Sequence, residues 1–182
     1  MIWLLMIPCA LAVGMILVGC AHRRRPPTRK IEEDGAVRNN TDNNAPKIIT
    51  STQIIAFDCR FSTMDLAESG VLGNHIYHLQ AKLENGAVKG IYQVCDTDEK
   101  RLFRESHVFL NKVQSLVGNY DLAQHNGHNC EVAGLPNEYG ARLSIVYASG
   151  EQIYAYNNQD NFLPDNAMKE LVKLFERGVS VI

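Results

Sequence analysis

The chain has 182 residues, of which 46% are hydrophobic and 21% charged, with a formal net charge of −2. This composition is that of an ordinary globular protein, and it excludes a collagen-like chain, a long coiled coil and a disulfide-dense miniprotein. From residue 51 onward, 11 Lys and Arg stand against 16 Asp and Glu. A balance of about −5 has the wrong sign for binding phosphates, so nucleic acid is not an expected partner.

The first 21 residues form an apolar run without a charged side chain. At about 20 residues, such a run could span a bilayer as a helix. Its end, Leu17-Val18-Gly19-Cys20, resembles the lipobox of bacterial lipoproteins. The resemblance implies a signal peptide over 1–19, cleavage before Cys20 and acyl chains on that cysteine. The protein would then be lipid-anchored at the cell membrane, on its extracytoplasmic face, with the membrane as its first partner.

The charge around this apolar run leaves a second interpretation open. A secretory signal normally begins with Lys or Arg, but here the basic cluster His22-Arg23-Arg24-Arg25 follows the run. Because positive charge tends to stay in the cytoplasm, this order is also compatible with an uncleaved single span whose C-terminal domain lies inside the cell. The orientation therefore depends on whether the leader is cleaved.

Residues 20–50 are predicted to be the lipidated cysteine followed by a disordered tether. From residue 22 onward they contain almost no large apolar side chains, and they include Pro26-Pro27 and two Asn pairs. Such a segment buries too little apolar surface to offset the entropy cost of ordering it. We expect the tether to hold a globular domain, residues 51–182, clear of the membrane.

Three strands are predicted at the start of this domain. Residues 53–61 alternate with a period of two, which is typical of a half-buried strand. Residues 77–84 and 87–95 also alternate, and Asn85-Gly86 between them accepts the positive φ angles of a type I′ turn, which predicts a hairpin. The residues expected on the buried face of the first strand are Ile55, Phe57, Cys59 and Phe61.

A helix and a second hairpin are predicted next. Asp96-x-x-Glu99 offers helix-capping chemistry, and apolar residues spaced three and four apart indicate a helix over about 98–117. Residues 142–148 and 152–156 alternate around Ser149-Gly150 and predict the hairpin.

The last predicted element is a helix that begins at Pro164-Asp165 and ends before Gly178. The order strand, hairpin, helix, hairpin, helix predicts an α+β domain, with an antiparallel sheet of about five strands and both helices on one face. Tyr147-Ala148-Ser149-Gly150 and Asn161-Phe162-Leu163-Pro164 are similar to the end of small domains of unknown function in bacterial lipoproteins. That resemblance implies no activity.

Cys59, Cys95 and Cys130 are the cysteines of the predicted domain. Because their number is odd, at least one thiol stays unpaired unless two chains join. Buried free thiols at Cys59 and Cys95 and a bridge between them both remain open, since spacing alone does not establish disulfide geometry.

The densest group of metal-capable residues is His125, His128 and Cys130. Two imidazoles and a thiolate could supply three zinc ligands. No fourth ligand follows at a recognisable spacing, so no metal and no cofactor are predicted. The same residues define an alternative function, a surface hydrolase or metalloenzyme in which Cys130 pairs with a loop histidine.

A possible ligand surface consists of Tyr154 and Tyr156 with Asn157 and Asn158. Amphipathic tyrosines beside amides suit contact with an envelope glycan or protein, although they are also explained as sheet formers followed by a turn. Because the chain contains no complete catalytic motif, the sequence favours a non-catalytic, lipid-anchored binding or structural module over an enzyme. It does not specify the ligand.

Overall fold

A mixed eight-stranded sheet with two helices on one face makes up the described part of the chain. The computed structural model describes residues 34–64, 72–136 and 139–179. Within them, neither helix is long and apolar enough to cross a membrane. The elements are β1 (Val37–Asn39), β2 (Ile54–Ser62), β3 (Ile76–Glu84), β4 (Ala87–Val94), β5 (Lys100–Glu105), α1 (Val108–Asn119), a 3-10 helix (Leu122–His125), β6 (Asn129–Val132), β7 (Ala141–Tyr147), β8 (Gln152–Asn157) and α2 (Asp165–Val179).

The predicted signal peptide over 1–19, the predicted lipidation site Cys20 and the first part of the tether lie outside the described residues.

The strands lie in the order β1-β6-β8-β7-β2-β3-β4-β5. Neighbouring strands run antiparallel except β6 and β8, which are parallel. The α+β class and the two helices are therefore as predicted. The expectation of about five antiparallel strands is wrong, since β1, β5 and β6 extend the sheet at its two edges.

Both predicted hairpins are confirmed. Asn85 and Gly86 have φ angles of 50° and 78°, as a type I′ turn requires, and they join β3 to β4. Gly150, at φ 90°, lies in the turn between β7 and β8. In β3, Tyr77 and Leu79 are buried, which confirms that their face packs into the core.

The helix predicted over 98–117 is wrong at its start, because residues 100–105 form the edge strand β5. This strand pairs with β4, and the register places Phe103 opposite Gly90. A Cβ on Gly90 would lie 1.9 Å from the Phe103 ring, so only glycine leaves room for it. Asp96 caps no helix here, since its Oδ1 accepts a hydrogen bond of 2.9 Å from the backbone N–H of Ile76.

The prediction of a disordered tether is wrong from residue 34 onward. Residues 37–39 form β1, which pairs with β6, although all three side chains are exposed. Further along, Lys47 donates to the carbonyl of Asn126, and the backbone N–H of Thr50 donates to Glu151 over 3.0 Å. Hydrogen bonds hold much of this segment, and Ile49 also packs against the core, so its low average hydrophobicity did not indicate its order.

Two predicted details differ by one or two residues. A register shift near the start of β2 places Ile54, which is buried, where Ile55 was expected in the core. Helix α2 continues through Gly178, whose position against the Phe103 and Phe109 rings leaves little room for a side chain.

The helices cover one face of the sheet only. In β2, Phe57, Cys59 and Phe61 point toward the helices and are buried, whereas Asp58 and Arg60 point away and are partly exposed. No described helix packs on that second side, which we call the uncovered face. The buried helix residues that pack on the first side are Phe109, Leu110, Val113 and Val117 of α1, and Ala167, Met168, Leu171, Val172 and Phe175 of α2.

The contact between Gly90 and Phe103 predicts a stability effect. Gly90→Ala should lower the free energy of unfolding by about 1–3 kcal/mol, because the new methyl group overlaps the ring. Gly118→Ala is the matched control, since a Cβ there meets nothing within 4 Å and the position is helical. That control should raise stability by about 0.5–1 kcal/mol. Urea unfolding measures both, and equal stability of the two variants would contradict the packing described for β5.

Candidate functional site

The uncovered face carries a row of polar and aromatic side chains across four adjacent strands. The register places Gln80 of β3 and Ser144 of β7 on either side of Asp58, and Tyr154 of β8 beside Ser144. We call Tyr154, Ser144, Asp58 and Gln80 the central row. Neighbouring strands lie about 4.8 Å apart, so the row is about 14 Å long.

Asp58 is the charged group at the middle of this row. Gln80 Nε2 donates a hydrogen bond to Asp58 Oδ2, and His78 Nε2 lies 3.4 Å from Oδ1. Burial raises the pKa of Asp58, but the hydrogen bonds from His78 and Gln80 and the charges of His78 and Arg142 outweigh it. The net pKa therefore lies below the ordinary value. The side chain is a carboxylate at neutral pH and presents acceptor oxygens to the face.

A concavity of about 310 Å³ lies over the Gln80 end of the central row. Its lining includes Glu84, which pairs with Lys82 over 3.1 Å and with Lys89 over 2.9 Å. Apolar and hydrogen-bonding side chains lie together in this shallow depression. The other lining residues on this face are Ala56, Asp58, Gln80, Ile91, Ser144 and Val146.

A second cavity, of about 270 Å³, is lined by Arg60, Arg142, Tyr154 and Tyr156. Arg60 and Arg142 are directly opposite each other on β2 and β7, and Tyr156 is opposite Arg142 on β8. Burial raises the pKa of Tyr156, and the charge of Glu131 adds to the increase, while Arg142 opposes it. The phenol therefore keeps its proton and can donate a hydrogen bond.

The structure divides the predicted ligand surface into two parts. Tyr154, which is 43% exposed, and Tyr156 both lie on the uncovered face and line the second cavity. Tyr154 also belongs to the central row. Asn157 and Asn158 are buried instead. The Asn158 side chain accepts from the N–H of Val132 and donates to its carbonyl, and Asn157 Oδ1 accepts from the next turn of backbone. The two amides hold the backbone and are not displayed to a ligand.

The metal-capable residues form no three-ligand group. His125 and His128 pack around the ring of Phe162, at centroid distances of 5.1 and 5.7 Å. Burial lowers the pKa of His125, and the nearby His128 lowers it further. Within the described parts of the chain, no three His, Cys, Asp or Glu side chains are placed to hold a metal ion. The sequence cluster that includes Cys130 is therefore not brought together as a metal centre.

Cys59, Cys95 and Cys130 form no disulfide in the described part of the chain, so no bridge joins Cys59 to Cys95. Cys59 is fully buried on the helix side of β2, whereas Cys95 and Cys130 are half-buried. Burial raises the pKa of the Cys59 thiol, and the neighbouring Asp58 charge raises it further. Cys59 therefore stays protonated and acts as a small apolar core residue.

Most of the central row and both arginines were missed as site residues by the sequence reasoning. The alternation in β2 already placed Asp58 and Arg60 on the polar side, and this was the available signal. Their partners Ser144 and Arg142 lie more than 80 residues away along the chain, so only the pairing of β2 with β7 reveals the cluster.

Comparisons with protein-family models, with curated proteins and with solved structures found no match to this chain.

The lowered pKa of Asp58 predicts how stability depends on pH. Because the folded-state value lies below the unfolded one, the carboxylate contributes stability above its unfolded pKa of about 4 and loses that contribution as pH falls through the folded pKa. Asp58→Asn should therefore be less stable than the wild-type protein at pH 6, with a difference that shrinks on acidification below pH 4.

Urea unfolding over a range of pH measures this difference. Gln80→Leu removes one hydrogen-bond donor to Asp58 but keeps the carboxylate. The stability of this variant should therefore decrease less on acidification than that of the wild-type protein. A pH-independent gap between the wild-type protein and Asp58→Asn would contradict the assigned hydrogen bonds.

Proposed function

We propose that the protein is a lipid-anchored, extracytoplasmic binding module that holds an envelope glycan on the uncovered face of its sheet. The lipobox resemblance at Leu17-Val18-Gly19-Cys20 supports the anchor and the location. The side chains of the central row support the choice of a glycan as the ligand. No step of chemistry is assigned to the site, and no cofactor takes part.

One observation carries the choice of ligand: the exposed ring of Tyr154 lies in the same row as a hydroxyl, a carboxylate and an amide. A sugar ring has apolar faces and a rim of hydroxyl groups. The tyrosine ring offers an apolar surface to the faces of the sugar. Asp58 and Gln80 offer hydrogen-bond acceptors and a donor to its hydroxyl groups. A few convergent polar groups beside an apolar surface are what fixes a small ligand in a shallow site.

The same face is a poor match for a protein partner. A stable protein interface buries about 800 Å² on each side around an apolar core depleted of charge. Here the middle of the face is occupied by Asp58 and Arg60, and the most exposed aliphatic residue on it, Leu102 at 62%, lies at the β5 edge. Ligands that satisfy hydrogen bonds fit this distribution better than an apolar protein surface.

The anchor predicts a specific chemical modification. In cells given an alkyne-tagged fatty acid, the protein should become labelled, and mass spectrometry should show that residues 1–19 have been removed from the labelled form. Cys20→Ala should abolish both the labelling and the cleavage. Cys9→Ala is the matched control, because it changes a cysteine inside the discarded leader and should leave both intact. An intact initiator end on the wild-type protein would favour the uncleaved span with its cytoplasmic domain.

The binding face predicts a loss of glycan affinity in one variant. Two tetrasaccharides of N-acetylhexosamines serve as probes: chitotetraose, which is neutral, and its counterpart in which alternate sugars carry a lactyl carboxylate. By calorimetry, the full chain in detergent should bind at least one of them. Tyr154→Ala should weaken that binding about three- to tenfold through loss of the apolar platform.

Tyr139→Ala is the matched control for this experiment, since that tyrosine is 47% exposed but lines neither cavity. It should leave the affinity unchanged. Binding of neither tetrasaccharide, or equal losses in the two tyrosine variants, would refute the glycan proposal.

A further inference from the structure

We infer that Asn85 is a site of spontaneous covalent modification, at which its side-chain amide is converted to aspartate and isoaspartate through a cyclic imide with the backbone nitrogen of Gly86. The sequence contains Asn-Gly twice, at residues 85–86 and 126–127. The fold exposes the first pair and encloses the second. The inference is independent of the proposed glycan function.

The reaction joins the side chain of an asparagine to the next peptide nitrogen. The Gly86 nitrogen attacks Asn85 Cγ, so an N–Cγ bond forms and the Cγ–Nδ2 bond breaks. Nδ2 leaves as ammonia with the proton that the Gly86 nitrogen gives up. Water then opens the imide: breaking the new N–Cγ bond yields aspartate, and breaking the original peptide bond yields isoaspartate. Either step returns a proton to the nitrogen, and no atom is oxidised or reduced. A following glycine favours the attack, because no Cβ shields the nitrogen.

The Asn85-Gly86 pair occupies the exposed tip of the hairpin between β3 and β4. Within the described residues, neither the Asn85 side chain nor the Gly86 N–H has a hydrogen-bond partner. A Cβ on Gly86 would meet nothing within 4 Å, so open space surrounds the attacking nitrogen. Ring closure requires the Asn85 backbone to rotate out of its turn, and local opening of this kind costs least at an exposed loop tip.

The same dipeptide at Asn126-Gly127 is held at its reacting atoms. Asn126 is only 6% exposed, and its Nδ2 donates to two backbone carbonyl oxygens over 2.8 and 3.1 Å. The Gly127 N–H, which would have to attack, donates to the carbonyl of Tyr154 over 2.8 Å. A Cβ on Gly127 would lie 2.4 Å from the backbone oxygen of Asp42, so the surroundings are closely packed. Reaction there must wait for these hydrogen bonds to break.

Modification of Asn85 would change the charge beside the candidate site. The new carboxylate follows Glu84 in the chain, and Glu84 lines the concavity together with its partners Lys82 and Lys89. Isoaspartate also adds a carbon to the main chain, which a two-residue type I′ turn does not accommodate. The pairing of Glu84 with Ala87 should therefore open in that product. The concavity would acquire negative charge as the protein ages.

Peptide mapping of the aged protein tests the inference. The full chain in detergent is incubated in mildly alkaline buffer made with heavy-oxygen water, then digested and analysed by mass spectrometry with fragmentation that distinguishes aspartate from isoaspartate. We expect the Asn85 peptide to lose its amide, to take up heavy oxygen and to yield both products. The Asn126 peptide should react at least about tenfold more slowly, because several hydrogen bonds must first break.

Two controls separate the effect of the fold from that of the sequence. In concentrated urea both asparagines should react at similar rates, since each is followed by glycine and unfolding removes the hydrogen bonds around Asn126. Asn85→Gly is the matched variant, because Gly-Gly is also accepted by a type I′ turn but carries no side-chain amide. Ammonia release from the folded chain should fall to near background in this variant.

Each contrary result overturns the inference. Equal rates at Asn85 and Asn126 in the folded chain would do so, as would a difference that persists in urea, which would arise from the sequence and not from the fold. An Asn85 peptide that stays intact in the folded chain while the urea-unfolded chain reacts would show that the turn protects it. Aspartate formed without isoaspartate would show direct hydrolysis and would exclude the imide.

Discussion

The whole arrangement depends on the pairing of β2 with two neighbours, β3 on one side and β7 on the other. Side chains alternate along a strand, so this pairing separates Phe57 and Cys59, which face the helices, from Asp58 and Arg60, which do not. A slip of one residue would exchange the two faces and bury the charges. The apolar contacts of β2 with the helix layer therefore fix the position of every polar side chain on the uncovered face.

The helix layer reinforces this register at the far edge of the sheet. Phe103 of β5 packs over Gly90 and against Phe109 and Phe175, with ring centroids 4.9 and 5.7 Å apart. The strand is short, and Lys100 and Arg104 flank the exposed Leu102 on its outward face; short length and charge protect an edge from pairing with other chains. One aromatic cluster thus ties β5 to both helices, and the ligand face needs no apolar contribution from this edge.

The parts of the fold that were predictable from sequence are those specified by neighbouring residues. Asn85-Gly86 specifies its turn through backbone conformation alone. The apolar face of α2 follows from the helical spacing of residues that are close together in the sequence. The helix predicted over 98–117 fails because Phe103 and Phe109 satisfy helical spacing by coincidence, one from a strand and the other from a helix. Only the contact of Phe103 with Gly90, which is non-local, distinguishes the two.

The candidate site was less predictable for the same physical reason. Tyr154 and Tyr156 stood out because they are adjacent in an amphipathic pattern, but so did Asn157 and Asn158, whose amides serve the backbone instead. Polarity in a sequence does not distinguish a displayed amide from one that satisfies a buried peptide group. The two arginines meet only through strand pairing, and no local pattern indicates it.

The ordered segment from residue 34 changes what the proposed anchor implies for the position of the face. A tether that ended at residue 50 could extend by about 100 Å from Cys20 at full stretch, whereas one that ends at Asp34 reaches about 50 Å. The described chain begins close to β1, at one edge of the sheet, and β1 lies two strands from β8, which carries both tyrosines. Asp34, which closely precedes β1, and the tyrosines of β8 therefore lie toward the same edge of the sheet. The ligand would have to be an envelope component that comes within this shorter distance of the membrane.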